Sequence, residues 1–374
     1  MVSCTTIVVI GGTGHFGGRI CRRLAGEPNT KLIVTSRSAA SAGKLVTELL
    51  ALNTDQNIQA ATLDQFSPTF EHDLEKLNPD IVLHTAGPYQ GQDYRVAEAC
   101  ITCGSHYVDL ADGRDFVAGF NQLDERAKQA NVLLVSGAST LPGLSSAVVD
   151  SLRGDFGQIR SIEISIAPAH QTPRGASTIA AVLSYCGNPF RVLEGGRWNT
   201  HFGWQNLRRQ HYPDLGWRLS GVCDVPDLSL LPIYVAGVKT VTFHAALEAW
   251  WEQLALWAMG WLTRLRVVRS WQRLVPLLHN ISERFIHFGS NTGGMHIRIS
   301  GSDSTGHTKV CNWYLTAGSN HGPEIPCSPA LVLVRKLVRN QIMDRGAVAC
   351  LGLMTLLDFE EEVKDLDISW QLVG

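Results

Sequence analysis

Charged residues are scarce in this sequence, and the basic ones form no run. Lys and Arg number 32 against 34 Asp and Glu in 374 residues, and charged side chains make up only 18% of the chain. A protein that binds nucleic acid needs a basic face to neutralise phosphates. We therefore expect no nucleic-acid partner. The 45% of hydrophobic residues predicts a globular protein with a sizeable core.

Motifs of several other protein classes are missing. The sequence has no H-E-x-x-H, no G-x-S-x-G and no Walker loop, which argues against zinc proteolysis, serine hydrolysis and ATP hydrolysis. The nine cysteines are scattered, and Cys100 and Cys103 form a C-x-x-C that no second pair completes as a zinc site. We predict no metal site, no disulfide framework and, since no signal peptide is evident, a cytoplasmic location.

Tryptophan is missing from the first 197 residues, and all ten tryptophans lie at or after Trp198. Four of them fall in the stretch Phe243–Val268, whose charge-free part, Gln253–Thr263, is too short to span a bilayer. We interpret this stretch as a buried helix or a dimer interface. The alternative, peripheral contact with a membrane surface, draws on the arginines that follow, which are Arg264, Arg266 and Arg269.

Apolar runs alternate with helix-like stretches over residues 1–142. The predicted strands are Thr5–Ile10, Lys31–Ser36, Ile58–Leu63, Asp80–Thr85, His106–Leu110 and Asn131–Ser136. The predicted helices between them are Gly14–Ala25, Ala39–Leu52, Pro68–Leu77, Tyr94–Cys103 and Phe116–Ala130. Several strands are apolar on both faces, as central parallel strands covered by helices are. This alternation predicts an α/β fold with a doubly wound parallel sheet, the Rossmann fold.

The pattern changes after Pro142 to alternating apolar and polar residues. Such alternation predicts a mixed or antiparallel sheet with one face against helices, and it occurs in Arg160–Ala167, Val238–Phe243, Met295–Ser300 and Lys309–Thr316. We predict an α+β domain of mixed sheet and helices over residues 143–325, for substrate binding or dimerisation. Residues 326–374 form a carboxyl-terminal segment whose helix, Ala330–Ile342, returns to the first domain.

A glycine-rich loop follows the first predicted strand directly. Its G-x-G-x-x-G spacing suits a dinucleotide: one glycine permits the tight turn, one lets the backbone approach the pyrophosphate, and one allows close helix packing. The amino terminus of the next helix then directs its N–H groups towards the phosphates. The predicted contacts are Gly11, Gly12, Thr13, Gly14, His15, Phe16 and Gly17.

The end of the second predicted strand favours NADP over NAD. An NAD-binding domain places an acid there for the ribose 2′-hydroxyl, whereas this sequence has Ser36 and Arg37, which suit a 2′-phosphate. Asp64 ends the third strand, where it either approaches the adenine edge or is a solvated loop acid. The small residues after the fourth strand are also assigned to cofactor contact; they are Thr85, Ala86, Gly87 and Pro88.

These segments resemble the saccharopine dehydrogenase-like NADP-binding family of saccharopine reductases and their bacterial relatives. The resemblance rests on Gly11–Gly17, His84–Tyr89, Tyr107–Leu110, Gly137–Gly143 and Gly322–Pro326. It implies a Rossmann domain, an inserted α/β domain and commonly a homodimer, but it leaves the substrate open. The short-chain dehydrogenases are a poorer fit. That family needs Tyr-x-x-x-Lys, in which the lysine lowers the tyrosine pKa for proton transfer, and none of the seven tyrosines here is followed by lysine four residues later.

Hydride transfer to a C=O or C=N group needs a proton donor or an orienting cation. Tyr89 and Asp109 lie at strand ends; Tyr89 either donates a proton or packs over the cofactor, and Asp109 either binds a substrate ammonium or ties down the next loop. Arg174 is a candidate clamp for a substrate carboxylate, and His321 a candidate acid–base group. Other candidates are His170, His244 and Asn312.

The hypothesis is therefore an NADP-dependent oxidoreductase that transfers hydride to or from a C=N or C=O of a small amino-acid or polyamine-like substrate in an interdomain cleft. Two alternatives stay open: reduction of an enoyl C=C in a lipid, and a non-catalytic NADP-binding sensor or scaffold.

Overall fold

In the computed structural model, which describes residues 4–52 and 56–373, the chain forms two units. Unit 1 comprises Met1–Gly143 and Pro326–Met354, and unit 2 comprises Leu144–Ile325 and Thr355–Gly374. The segment 326–374, which we expected as one piece, is thus divided. Its first part joins unit 1 and its last part joins unit 2.

Unit 1 is built on a seven-stranded, wholly parallel sheet, which confirms the predicted doubly wound α/β class. The strand order is β15-β6-β5-β4-β1-β2-β3. The strands are β1 (Thr5–Ile10), β2 (Thr30–Ser36), β3 (Asn57–Thr62), β4 (Ile81–His84), β5 (His106–Asp109), β6 (Leu133–Ser136) and β15 (Gly346–Ala349). Chain order reverses between β1 and β4, and ligands of such sheets bind at the carboxyl ends beside that switch point.

The helices of unit 1 are α1 (His15–Leu24), α2 (Ala39–Leu52), α3 (Phe70–Glu75), α4 (Arg95–Cys103), α5 (Arg114–Ala118), α6 (Asp124–Gln129) and α12 (Ser328–Val338). The predicted helix Phe116–Ala130 is wrong as one element, because a 3₁₀ turn at Phe120–Leu123 separates α5 from α6. Val117, Phe120 and Leu123 are all buried, and a three-residue spacing faces one side in a 3₁₀ turn.

Helix α12 belongs to the core of unit 1. Leu331, Leu333 and Val334 are buried with the strand residues Val9, Leu83 and others in one cluster. The charged end of α12 is also tied down, since Arg335 Nε lies 2.7 Å from Glu27 Oε2 and that glutamate is buried. A helix that is apolar on more than one side is typical of such an enclosed position.

Unit 2 contains a nine-stranded mixed sheet. The central path is β10-β11-β12-β7-β13-β14-β16, with β8 pairing with β12 and β9; β12 and β7 are parallel and the other pairs antiparallel. Its strands are β7 (Gln158–Ala167), β8 (Pro189–Glu194), β9 (Arg197–Phe202), β10 (Arg208–Tyr212), β11 (Gly216–Val222), β12 (Thr240–Leu247), β13 (Gly293–Ser302), β14 (Thr308–Ala317) and β16 (Ile368–Val373).

The helices of unit 2 are α7 (Ser145–Arg153), α8 (Ala176–Ser184), α9 (Asp227–Tyr234), α10 (Trp250–Arg264), α11 (Val275–Phe285) and α13 (Leu356–Val363). One face of the sheet is apolar, with Ile162, Ile164 and Ile297 fully buried. Among the helices of the described ranges, none has the length and apolar character that crossing a membrane requires.

Candidate active site

The glycine loop connects β1 to α1 in a tight turn. Gly11 has φ +75°, a conformation that favours glycine, and the Gly14 amide donates to Gly11 O at 2.8 Å. Gly14 is the N-cap of α1, with no side-chain cap and no acid in the first turn. The backbone N–H groups of Phe16 and Gly17 lie in that first turn, where a helix offers them no carbonyl. This end of the helix is therefore suited to an anion.

The three glycines of the motif have different surroundings. A Cβ on Gly17 would overlap Gly11 O and lie 2.6 Å from Thr85 Oγ1, and one on Gly12 would lie 2.9 Å from Val34 Cγ1. Both glycines are therefore needed for packing. A Cβ on Gly14 would meet only its own loop, Gly11 O at 3.1 Å. The space above Gly14 is open, which fits a close approach by a pyrophosphate.

The residues predicted to select NADP lie at the end of β2. Thr13 Oγ1 donates to Ser36 Oγ at 3.1 Å, which joins the glycine loop to this strand end, and the Ser38 amide donates to the same oxygen at 3.2 Å. Arg37 is exposed beside them. A hydroxyl and an exposed guanidinium on adjacent residues can both donate to a phosphate.

Asp64, just beyond the end of β3, is half-buried and closes a turn. Its Oδ1 accepts from the Phe66 amide at 3.1 Å, and its carbonyl accepts from the Ser67 amide at 3.0 Å. The described residues give its second carboxylate oxygen no hydrogen bond, and contact with the adenine edge stays a prediction.

The segment after β4 is held close to the glycine loop. Thr85 donates twice to Ile10 O, through its amide at 2.9 Å and its hydroxyl at 2.8 Å. Gln92, which we did not single out from the sequence, donates from Nε2 to Ala86 O at 3.0 Å and to Pro88 O at 2.6 Å. These bonds fix the backbone of Thr85–Pro88 at the switch point of the sheet.

Tyr89 turns back into the unit and away from solvent. Its side chain is buried, its hydroxyl donates to His84 O at 2.7 Å, and burial raises its pKa well above the ordinary value. The ring contacts those of His84 and Phe116. This geometry argues against proton donation by Tyr89, and packing over the cofactor stays a prediction.

Asp109 is fully buried and accepts four hydrogen bonds. Its Oδ1 receives the amides of Ala111 and Gly137 at 2.9 and 2.7 Å and Ser136 Oγ at 3.1 Å, and its Oδ2 receives the Tyr107 hydroxyl at 2.9 Å. These donors tie the ends of β5 and β6 together. The arrangement favours the loop-fixing interpretation of Asp109 over binding of a substrate ammonium.

A buried hydrogen-bond chain continues from Asp109 through Tyr107 to His84. Because the Tyr107 hydroxyl donates to Asp109, the His84 Nδ1–H must donate to the Tyr107 oxygen, 3.0 Å away. Burial raises the pKa of Asp109 to about 6 and lowers that of His84 to about 3. At neutral pH the chain therefore holds a carboxylate and a neutral imidazole.

Arg174 in unit 2 already has a carboxylate partner. Its Nη1 donates to Glu252 Oε2 at 3.2 Å, and the buried ring of His170 lies 3.8 Å from the same oxygen. His170 also bonds Phe285 O through Nε2 at 2.9 Å. Arg174 Nη2 is buried and has no partner among the described residues, so it could donate to a ligand.

His321 is half-buried in unit 2. Its Nδ1 accepts from the Asp367 amide at 2.8 Å, so the neutral ring carries its proton on Nε2. This leaves Nε2 as a donor, as an acid–base group requires.

A polar face of the sheet in unit 2 gathers residues that the sequence analysis mostly missed. Cross-strand register places His244, Ser165, His296 and Tyr314 in one row, and Thr242, Glu163, Arg298 and Asn312 in the next. Side chains of β10 lie over this face: Arg208 Nη1 donates to Glu163 Oε2 at 3.0 Å, and Gln210 Nε2 lies 3.1 Å from His296 Nδ1. The alternation of polar residues in β7 and β13 is the signal that could have revealed it.

Several buried atoms of this polar face lack a partner among the described residues. They are His244 Nδ1, Thr242 Oγ1 and Arg208 Nε. Burial lowers the pKa of His244 to about 3 and that of His296 to about 4, so both rings are neutral at pH 7. Buried polar groups are nearly always hydrogen-bonded, so these atoms indicate water or a ligand. Over the described residues, no cluster of His, Cys, Asp and Glu could hold a metal ion.

Comparisons with known proteins agree with this geometry. Residues 7–135 match the family model for the saccharopine dehydrogenase NADP binding domain. The chain shares its fold with saccharopine dehydrogenase (L-Glu forming) from Saccharomyces cerevisiae, with 14% identity, a TM-score of 0.70 and coverage of 99% of this chain and 100% of the other. An amine dehydrogenase from Mycobacterium smegmatis aligns with 12% identity and a TM-score of 0.48, over 93% of this chain and 95% of the other. The comparison with curated proteins gives no match.

The Rossmann sheet, the glycine loop and the matched domain define an oxidoreductase whose cofactor is NADP. More specifically, residues 7–135 form a saccharopine dehydrogenase-like NADP-binding domain, as the sequence motifs predicted; the family model covers this first part of the chain.

Proposed function

We propose that this protein transfers a hydride between NADP(H) and a carbon that is doubly bonded to nitrogen or oxygen, in a small polar substrate of amino-acid or polyamine-like type. When bound, NADPH supplies the hydride from its nicotinamide ring. The residues of the chain have three tasks: to bind the cofactor, to bind the substrate and to supply a proton.

The residues of unit 1 fit the dinucleotide. The open space above Gly14 and the first turn of α1 suit the pyrophosphate, and Ser36 with Arg37 suits the 2′-phosphate. Thr85–Pro88, fixed by Gln92, is proposed to lie along the cofactor. Asp64 is proposed at the adenine edge.

The polar face carries the proposal of a polar substrate. Buried groups without partners, such as His244 Nδ1 and Thr242 Oγ1, gain most from a ligand with polar atoms, because each otherwise costs about 1–3 kcal/mol. Arg174 Nη2 offers a donor for a substrate carboxylate. For the proton we propose His321, whose Nε2 is a donor in the neutral ring, in preference to Tyr89 and Asp109, whose polar atoms are already bonded.

The experiment measures NADPH oxidation in the presence of a panel of three classes of substrate. These are keto acids mixed with amines, preformed imines, and enoyl thioesters of lipids. We expect turnover with a polar C=N or C=O substrate, and a fall in kcat/KM of at least about tenfold in His244→Phe, which keeps an aromatic ring but cannot hydrogen-bond. Ser304→Ala, in an exposed turn of unit 2, is the control. Turnover of the enoyl lipid alone would support the lipid alternative. The observation that favours this alternative is the exposure of the tryptophans of α10, which could contact an apolar substrate. A silent panel with intact NADPH binding would support the sensor or scaffold.

The predicted homodimer and the cytoplasmic location stay predictions. Sedimentation of the purified chain at micromolar concentration tests the first, and its result also bears on the surface described next.

A further inference from the structure

Exposed apolar side chains are concentrated in one segment of unit 2. Over the described residues, 12 of the 23 large hydrophobic side chains that are exposed lie within 250–288. We call this segment, which includes α10 and α11, the tryptophan surface. Its exposed members are Trp250, Trp251, Leu254, Trp257, Leu262, Leu265, Val267, Leu274, Leu277, Ile281, Phe285 and Phe288. Monomeric proteins rarely expose large contiguous apolar patches without a partner.

Helix α10 exposes its large apolar side chains, whereas an ordinary surface helix buries them. Its only fully buried residues are Gln253 and Gly260, while Trp250 is 62% exposed. Arg264 is also exposed on α10 and lies next to Trp257 at 100° per residue. The exposed apolar positions cover less than half of the helix circumference. They are Trp250, Trp251, Leu254, Ala255, Trp257, Ala258, Leu262 and, just past the helix, Leu265.

The packing of α10 fixes this orientation. Gly260 lies so close to Gly187 and Gly203 that a Cβ on Gly260 would be 3.0 Å from Gly203 O, and one on Gly187 would overlap Gly260 O. Gln253 Oε1 accepts from the Leu247 amide at 3.0 Å on the same side. Rotating the helix would press a tryptophan into a contact that admits only glycine, so the apolar stripe must face outward.

Helix α11 has no buried residue at all. Contacts at its carboxyl end attach it, since Phe285 O is bonded by His170 and Gly289 O accepts from Gln171 Nε2 at 2.9 Å. Its apolar side chains therefore remain available at the surface.

The tryptophan surface has a net positive charge. Within 250–288 the sequence has five arginines, no lysine and two acids, of which Glu252 pairs with Arg174 and Glu283 is exposed. Four of the arginines lie between Gln253 and Ser282, where there is no acid. All four are exposed, and none forms an ion pair with an acid of the described residues; they are Arg264, Arg266, Arg269 and Arg273. The Arg264 guanidinium lies over the rings of Phe202 and Trp261, 4.2 and 4.7 Å from their centroids. A second copy of this chain would bring the same positive charge to the same interface, whereas an anionic surface would neutralise it.

We propose that the tryptophan surface binds the surface of a lipid bilayer that contains anionic lipids. Helix α10 has 15 residues and is about 22 Å long, so it lies along the membrane rather than across it. The apolar stripe enters the headgroup region, where tryptophan is favoured, and the arginines contact lipid phosphates. Unit 2 is thereby held at the bilayer.

The test is flotation of the purified full-length chain with two kinds of vesicle: phosphatidylcholine alone, and phosphatidylcholine with phosphatidylglycerol. We expect binding to the anionic vesicles that is at least about tenfold stronger than to the neutral ones and that weakens with added salt.

Two variants separate the contributions. Arg266→Glu with Arg269→Glu should lower the partition coefficient on anionic vesicles by at least about tenfold, since each basic residue near such a surface contributes measurably. Leu254→Glu should weaken binding to a similar degree by placing a charge in the apolar stripe. The matched controls are Arg197→Glu and Trp198→Glu, exposed in β9 outside the surface, and they should bind as the parent chain does. All variants should keep the circular dichroism spectrum and the urea unfolding midpoints of the parent chain, which shows that unit 2 still folds. These readouts need neither cofactor nor substrate, so this test is separate from that of the proposed function.

Three results would overturn the proposal. Equal binding to neutral and anionic vesicles would show that the arginines do not contribute to membrane binding. Equal losses in the control variants would deny that the tryptophan surface is the contact. Absence of vesicle binding together with a dimer that Leu254→Glu dissociates would assign the surface to a second copy of the chain.

Discussion

Asp109 of unit 1 and the pair His244 and Thr242 of unit 2 are buried in opposite ways, although unit 1 also has one buried strand atom, His84 Nε2, without a partner among the described residues. In unit 1, Asp109 at a strand end is surrounded by four donors, and two of them are backbone amides. In unit 2, His244 and Thr242 stand in the middle of a strand with buried atoms that have no partner among the described residues. Burial alone therefore does not distinguish a structural polar group from one that binds a ligand. The unmet hydrogen bonds make that distinction.

The first prediction tests whether unit 1 binds its cofactor through backbone N–H groups of the glycine loop and the first turn of α1. Gly14→Val should lower NADPH affinity by at least about hundredfold, because the added methyl groups fill the space where charged hydrogen bonds to the pyrophosphate form. Titration calorimetry measures the loss. Gly43→Val is the matched control, since a Cβ there meets nothing within 4 Å. Retained NADPH binding in Gly14→Val would refute the loop assignment.

The second prediction tests the Asp109 carboxylate, which accepts four hydrogen bonds. Asp109→Asn should lower the free energy of unfolding by about 3 kcal/mol, because an amide group must face donors that the carboxylate accepts. Urea unfolding followed by circular dichroism measures this change. Asp64→Asn, with a partly exposed side chain in a turn, should change stability by less than about 1 kcal/mol. Equal stability of both variants would show that the four bonds around Asp109 are unimportant.

The third prediction concerns the pH dependence of stability that His296, on the polar face of unit 2, produces. Burial lowers the pKa of His296 from 6.5 to about 4, so the unfolded chain takes up a proton first. The stability due to the neutral ring is present above about pH 6.5 and is lost as pH falls towards about 4. Between pH 7.5 and 5 this group should cost about 2 kcal/mol, and His296→Gln should remove that part of the slope.

Urea unfolding at several pH values, compared between the parent chain and His296→Gln, measures that slope. Asp109, with a pKa raised to about 6, acts in the opposite direction: its contribution is present below about pH 4 and is lost as pH rises through 6. Only the difference between the two proteins therefore reports on His296. Identical slopes would show that the ring is as well solvated in the folded chain as in the unfolded one.

The smallest expected effect tests a side-chain contact in unit 1. Arg37→Glu should weaken NADPH binding by about tenfold or more and leave NADH binding nearly unchanged, because only NADPH carries the 2′-phosphate. Fluorescence titration with both cofactors measures the ratio. Arg197→Glu makes the same charge change at an exposed site in the other unit. Equal losses for both cofactors would mean that Arg37 does not contact the 2′-phosphate.

Much of unit 1 could be predicted from the sequence because its strands are strongly apolar and its helices regular. Strand β1 and helix α2 have the predicted bounds, and the other five predicted strands differ by one or two residues at an end. Strand β15, Gly-Ala-Val-Ala, could not be found, since four small residues have no distinctive pattern outside their tertiary context. The roles of Gln92 and His84 depend likewise on backbone atoms that only the folded loop supplies.

Unit 2 was less predictable, because its edge strands are polar. Strand β10, with the sequence Arg-Arg-Gln-His-Tyr, has no apolar alternation. Helix α10 shows a second limit: its sequence is rich in tryptophan, which predicted a buried or dimer-interface helix, yet the closely packed Gly260 turns the tryptophans outward. The direction in which an apolar stripe points is set by the neighbours of the helix and not by the stripe.

The late return of the chain to unit 1 has a consequence for biosynthesis. Until residue 349 has left the ribosome, β6 is an open edge of the sheet, and the core positions that α12 covers are exposed. A nascent chain of 325 residues therefore presents both a free strand edge and an apolar surface, the two features that promote aggregation. Premature termination or proteolysis near residue 325 would remove more than a tail, because it would leave the Rossmann unit unfinished.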